Sequence, residues 1–125
     1  MNQQTARVLI VDDDKNICAI LAALMKKEGL EPMVAYDGEK ALKMVQADTP
    51  DLLLVDMMLP GMDGMEVLRK TRELDPDLPV VFITASDEVN LKRPMPVAGC
   101  AQLLRKPFSS DELITAVRAA IPVQR

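Results

Sequence analysis

A chain of 125 residues, 49% of them hydrophobic, has the material for one core of ordinary size. Fifteen Lys and Arg against 19 Asp and Glu give a net charge of −4, which argues against the concentrated basic face that direct nucleic-acid binding needs. Histidine is absent and the two cysteines, Cys18 and Cys100, lack metal-ligand spacing, so imidazole catalysis is excluded and a zinc site is disfavoured.

After Arg7 comes Val8-Leu9-Ile10-Val11, an uninterrupted apolar run of the kind a strand buried on both faces shows. It ends in three acids, Asp12, Asp13 and Asp14. Ile17, Ile20, Leu21, Leu24 and Met25 then recur at helical spacing, with Asp14 as a plausible N-cap and Gly29 as a stop. Met33-Val34-Ala35 after Pro32 makes a weak strand suited to a sheet edge. Asp37-Gly38 turns the chain into a second helix through Ala41, Leu42 and Val45, which ends before Pro50.

The third strand spans residues 51–56 and ends in Asp56. Apolar residues follow it, then the turn formers Pro60-Gly61 and Asp63-Gly64. A third helix over 64–73 turns Val67, Leu68 and Thr71 inward and stops at Asp75-Pro76-Asp77. Val80-Val81-Phe82-Ile83 is a fourth strand running into Thr84-Ala85-Ser86. Residues 87–93 can start a helix, but Pro94 and Pro96 would break it. Ala101-Gln102-Leu103-Leu104 reads as a short fifth strand leading to Arg105-Lys106-Pro107-Phe108. Ser109 or Ser110 caps a last helix with Leu113, Ile114, Val117 and Ile121 on its apolar face, ended by Pro122.

This alternation predicts an α/β fold, a doubly wound five-stranded parallel sheet with helices on both faces, as one domain over 1–125 with its core at about 7–121. Tyr36, Phe82 and Phe108 are the only aromatics, so the core is aliphatic, with nine Met as adaptable filler. Neither a signal segment nor an apolar run of about 18 residues is evident, so a soluble cytoplasmic protein that does not enter a membrane is expected.

In a parallel sheet, Asp12, Asp13, Asp14, Asp56, Thr84 and Lys106 all fall at the carboxyl ends of strands, where ligands bind in open α/β sheets. Each has a plain structural explanation alone: an acidic turn with its helix cap, a β-branched strand residue, a surface lysine before proline. Together they make a site. Carboxylates this close need a cation to stay ionised, and an all-oxygen set without His or thiolate suits Mg²⁺ or a similar hard ion. A carboxylate beside such an ion, a lysine and a hydroxyl can accept a phosphoryl group.

Val11-Asp12-Asp13, Val55-Asp56 with Pro60-Gly61-Met62-Asp63-Gly64, Ile83-Thr84-Ala85 and Lys106-Pro107-Phe108 together resemble the signature of the receiver domains of two-component response regulators. The resemblance covers residues 7–121 and implies a flavodoxin-like sheet in the order 2-1-3-4-5. It implies that Asp56 is the phosphoacceptor, taking its phosphoryl group from a histidine kinase or histidine phosphotransfer protein. It implies Mg²⁺ held by Asp13, Asp56 and the backbone carbonyl of Met58, with Asp12 acting through water. Thr84 would be the switch hydroxyl, Lys106 the cation paired with the phosphoryl group, and Lys106-Pro107 a cis bond. The output would be control of a downstream effector protein or domain. Catalysis would be limited to the domain's own phosphotransfer and dephosphorylation, and phosphorylation-dependent dimerisation is left open.

The chain departs from the family's pattern in three places. Leu103 stands where an aromatic reporter of phosphorylation is common, so readout is expected through loop and helix shifts after Thr84. Pro94 and Pro96 fall in the stretch of the family's fourth helix, which is expected to be short, bent or mobile. Met58 and Ser86, near the family's path for hydrolytic water, carry neither carboxylate nor amide, so slow self-dephosphorylation is expected. Two other readings compete: an Asp-nucleophile phosphohydrolase, which lacks a further acid near Asp56, and a receiver-like protein-binding module that acts without phosphorylation.

Overall fold

The computed structural model describes residues 5–57, 59, 61–62, 64–85 and 100–121. Five strands alternate with four helices among them: β1 (Arg7–Val11), α1 (Lys15–Lys27), β2 (Glu31–Ala35), α2 (Gly38–Ala47), β3 (Leu52–Asp56), α3 (Gly64–Leu74), β4 (Val80–Ala85), β5 (Cys100–Lys106) and α4 (Ser110–Ala120). The strands are all parallel in the order β2-β1-β3-β4-β5, the order expected.

Strand periodicity divides the core in two. Successive side chains point to opposite faces, so Val8, Ile10, Leu52, Leu54, Val81 and Ile83 meet α1 and α4 through Cys18, Leu21, Met25, Leu113 and Val117. Leu9, Val11, Leu53, Val55, Val80 and Phe82 turn the other way, onto Ala41 and Val45 of α2 and Val67 and Leu68 of α3. Every residue of β3 is buried, as an apolar run in mid-sheet predicts.

Local signals set the helix ends. Asp14 Oδ1 accepts the N–H groups of Asn16 and Ile17. Ser109, not Ser110, caps α4, in a reciprocal box with Glu112. Past α1, Gly29 takes φ +81°, the left-handed conformation that glycine adopts freely.

Two expectations change. Ile20 does not belong to the core face of α1: it is 58% exposed. At about 3.6 residues per turn it lies more than a quarter turn from the line through Cys18, Leu21 and Met25. The fifth strand is longer than the apolar run 101–104. It extends through Lys106, because pairing with β4 continues to Ala85↔Lys106 and an edge strand accepts polar residues. The expected helix break at Pro94 and Pro96 lies outside the described residues.

Candidate functional site

The strand register brings the polar residues to one level. Val11 pairs with Val55 and with Ala35, so Asp12 follows β1 beside Asp56, the last residue of β3. Asp56 pairs with Ile83, the neighbour of Thr84, and Ala85 pairs with Lys106. One ligand oxygen each from Asp12, Asp13 and Asp56 lies within 4.8 Å of the others. Lys106 Nζ stands 3.7 Å from Asp56 Oδ2. Asp56 and Thr84 are buried, whereas Asp13 is exposed.

Asp12 is 2% exposed and tightly held. Its N–H donates to Ala35 O at 3.2 Å. Its carbonyl accepts the Cys18 thiol at 3.2 Å, and its Oδ1 accepts the Asp14 N–H at 2.9 Å. Oδ2 has no hydrogen-bond partner among the described residues, although it is buried. Burial, reinforced by the charges of Asp56 and Asp13, lifts the Asp12 carboxyl from 3.8 to about 6, against the Asp14 N–H and Lys106, which pull it down. Burial likewise pushes the Cys18 thiol up to about 11, which leaves it a hydrogen-bond donor and a poor nucleophile.

Backbone contacts fix the end of β3. Met57 N–H donates to Ile83 O at 2.8 Å, and Gly64 N–H closes the loop onto Met57 O at 2.9 Å. A Cβ on Gly64 would sit 2.7 Å from Met57 Cα and 3.0 Å from Asp56 O, so only glycine lets α3 start this close to Asp56.

A buried carboxylate oxygen without a hydrogen-bond partner among the described residues, on a residue clustered with two further carboxylates, fits a cation, and an oxygen-only donor set fits a hard one. Asp12, Asp13 and Asp56 could hold such an ion. The backbone of Met58, expected as another ligand, lies outside the described residues, as does Ser86. The Lys106–Pro107 peptide bond is cis.

The response regulator receiver domain family matches residues 8–118. The chain belongs to that family. The receiver domain is 38% identical over 117 residues to the response regulator MprA of Mycobacterium ulcerans, covering 94% of this chain and 50% of that protein. It thus spans about half the length of the curated relatives it matches. Among solved structures it is similar to a putative response regulator from Chloroflexus aurantiacus, with TM-score 0.84, 33% identity and coverage of 92% of this chain and 96% of that one. A CheY-like receiver domain protein from Methanospirillum hungatei gives TM-score 0.84 at 27% identity, with 92% of each chain covered. A receiver domain is the signal-receiving part of a two-component response regulator.

The residues expected at the site, Asp12, Asp13, Asp56, Thr84 and Lys106, fall together at the carboxyl edge. Asp14 serves as the helix cap and as donor to Asp12. Sequence reasoning missed Cys18 and Gly64 as supports. The signal for Gly64 was its place directly after a turn and at a helix start. For Cys18 it was the i+6 spacing from Asp12 on the inward face of α1. Among the described residues no helix is long and apolar enough to cross a membrane.

Proposed function

We propose that the receiver domain accepts a phosphoryl group on Asp56 and passes the change to a partner. The observation that carries this reading is the cluster of Asp12, Asp13 and Asp56 with Lys106 Nζ 3.7 Å from the Asp56 carboxylate. The chain has no histidine, so the phosphohistidine of the donor belongs to a histidine kinase or histidine phosphotransfer protein. One Asp56 oxygen forms the new O–P bond as the N–P bond of the donor breaks and the imidazole leaves.

Asp13 and Asp56, with the Met58 carbonyl and with Asp12 acting through water as the family resemblance implies, would hold Mg²⁺, which would neutralise charge on the phosphoryl oxygens. Lys106 supplies a second positive charge beside Asp56. The Thr84 hydroxyl turns to the phosphoryl group; the shifts expected after it fall on residues outside the described ones. Leu103, half-buried against the α2–α3 side of the core, does not offer the aromatic rotation used elsewhere in the family. The downstream effector, any dimerisation on phosphorylation and a cytoplasmic location belong to the same reading. Its chemistry is confined to the domain's own phosphotransfer and dephosphorylation.

The test is incubation with Mg²⁺ and acetyl phosphate, followed by intact mass. Wild type gains one phosphoryl group; Asp56→Asn gains none, and chelation of Mg²⁺ abolishes the gain. Unmodified wild type would favour a binding module that works without phosphorylation, and rapid turnover of phosphate esters would favour a phosphohydrolase.

A further inference from the structure

Lys15 occupies an unfavourable place. It opens α1, where the unpaired N–H groups of the helix repel a cation, and no acid accompanies it in the first turn. Asp12, Asp13 and Asp14 immediately precede it, yet among the described residues its ammonium has no carboxylate within 4.0 Å. Its Nζ lies instead 5.3 Å from the centroid of the Tyr36 ring. Tyr36 is 43% exposed and follows Ala35, whose carbonyl receives the Asp12 N–H. The pair therefore stands at the rim of the acidic cluster on the β1–β2 side, whereas Lys106 approaches from β5.

The nature of the contact matters. A carboxylate partner would cancel the ammonium charge. An aromatic face holds the ammonium through its quadrupole and leaves the net charge in place. An uncancelled cation at the rim of the carboxylate cluster offsets its repulsion of an arriving anion. Lys106 is already engaged with Asp56.

We propose that Lys15, held over Tyr36, is a specificity-determining residue that steers anionic phosphodonors to Asp56. This rests on the reading of Asp56 as phosphoacceptor. A charge at the rim of a site acts on encounter rates and their salt dependence more than on the equilibrium. Its influence falls as the donor's charge falls and as ionic strength rises.

The experiment measures initial phosphorylation rates in Mg²⁺ with acetyl phosphate and with phosphoramidate, which carries less negative charge near neutral pH. Wild type, Lys15→Ala, Lys15→Arg, Tyr36→Leu and Asp56→Asn are compared at low and high ionic strength. Lys15→Ala lowers the apparent second-order constant for acetyl phosphate about 2–5-fold at low salt. The loss is smaller with phosphoramidate and fades at an ionic strength on the order of 0.5 M. Lys15→Arg keeps the wild-type rate, Tyr36→Leu gives an intermediate loss, and the melting temperature of Lys15→Ala is not lowered. Equal rates for Lys15→Ala and wild type at low salt overturn the inference and leave the phosphoacceptor reading standing. A loss that ignores donor charge and salt also overturns it, since a structural defect would act that way. Wild type that takes no phosphoryl group, or Asp56→Asn that takes it equally well, overturns both.

Discussion

At the amino edge of the sheet, Asp51 Oδ2 accepts the Arg7 N–H at 2.7 Å, and the Asp51 N–H returns a bond to Arg7 O at 2.8 Å. The Arg7 guanidinium reaches Asp48 at 2.8 Å and the Asp48 carbonyl at 3.1 Å. At the carboxyl edge, Asp12 and Asp56 face each other, and the buried Oδ2 of Asp12 has no hydrogen-bond partner among the described residues. The same residue type thus closes one end of β1 and β3 and strains the other. Carboxylates at the amino edge are satisfied by the chain itself, whereas at the carboxyl edge one buried oxygen of Asp12 has no hydrogen-bond partner among the described residues. That buried, unsatisfied oxygen costs stability at the carboxyl edge.

The sharpest way to break this contrast is at Asp12. Its folded-state pKa of about 6 lies above 3.8, so the folded protein holds the proton more tightly than the unfolded chain. Stability is then highest with Asp12 protonated, falls as pH rises from about 4 to about 6, and stays lower above that, by on the order of 3 kcal/mol. Asp12→Asn should therefore raise metal-free stability at pH 7 by about 1–3 kcal/mol in urea unfolding, with little gain at pH 4. Mg²⁺ should stabilise wild type more than this variant. A variant less stable than wild type at pH 7 would remove the claim of strain.

Asp51→Ala should move stability the other way. Loss of a half-buried acceptor for the Arg7 N–H costs about 1–2 kcal/mol by the same measurement, and Mg²⁺ binding is unaffected. A third substitution asks whether the cost at Asp12 comes from charge or from the lack of a partner alone. Thr71, fully buried on α3, also has a side-chain oxygen without a hydrogen bond among the described residues. Thr71→Val keeps the shape and should raise the unfolding midpoint by an amount worth about 1 kcal/mol or less, with no dependence on pH between 4 and 7. A gain as large as that of Asp12→Asn would assign the cost to the missing hydrogen bond.

Much of this was legible in the residue pattern. The runs of β1, β3 and β4 are buried on both faces, so they are apolar without interruption, and each marks the strand end that carries a polar residue. The strand order came from resemblance, because periodicity does not say which strands are neighbours. The length of β5 was hidden: Arg105 and Lys106 can be strand residues only because β5 lies at the edge. Ile20 misled because apolar spacing shows a stripe and not its outer limits. Nothing in residue spacing marked the Oδ2 of Asp12, which has no hydrogen-bond partner among the described residues, since burial and hydrogen bonding at a strand end depend on what the neighbouring turns supply. The same holds for the Cys18 thiol behind it.

Gly64 has a consequence for design. The start of α3 is hydrogen-bonded to Met57 O and leaves no room for a side chain between the helix and the main chain at Met57 and Asp56. Asp56 therefore has a firm seat: β3 beneath it is buried along its whole length, and the start of α3 is tied to the residue after it by the Gly64–Met57 hydrogen bond.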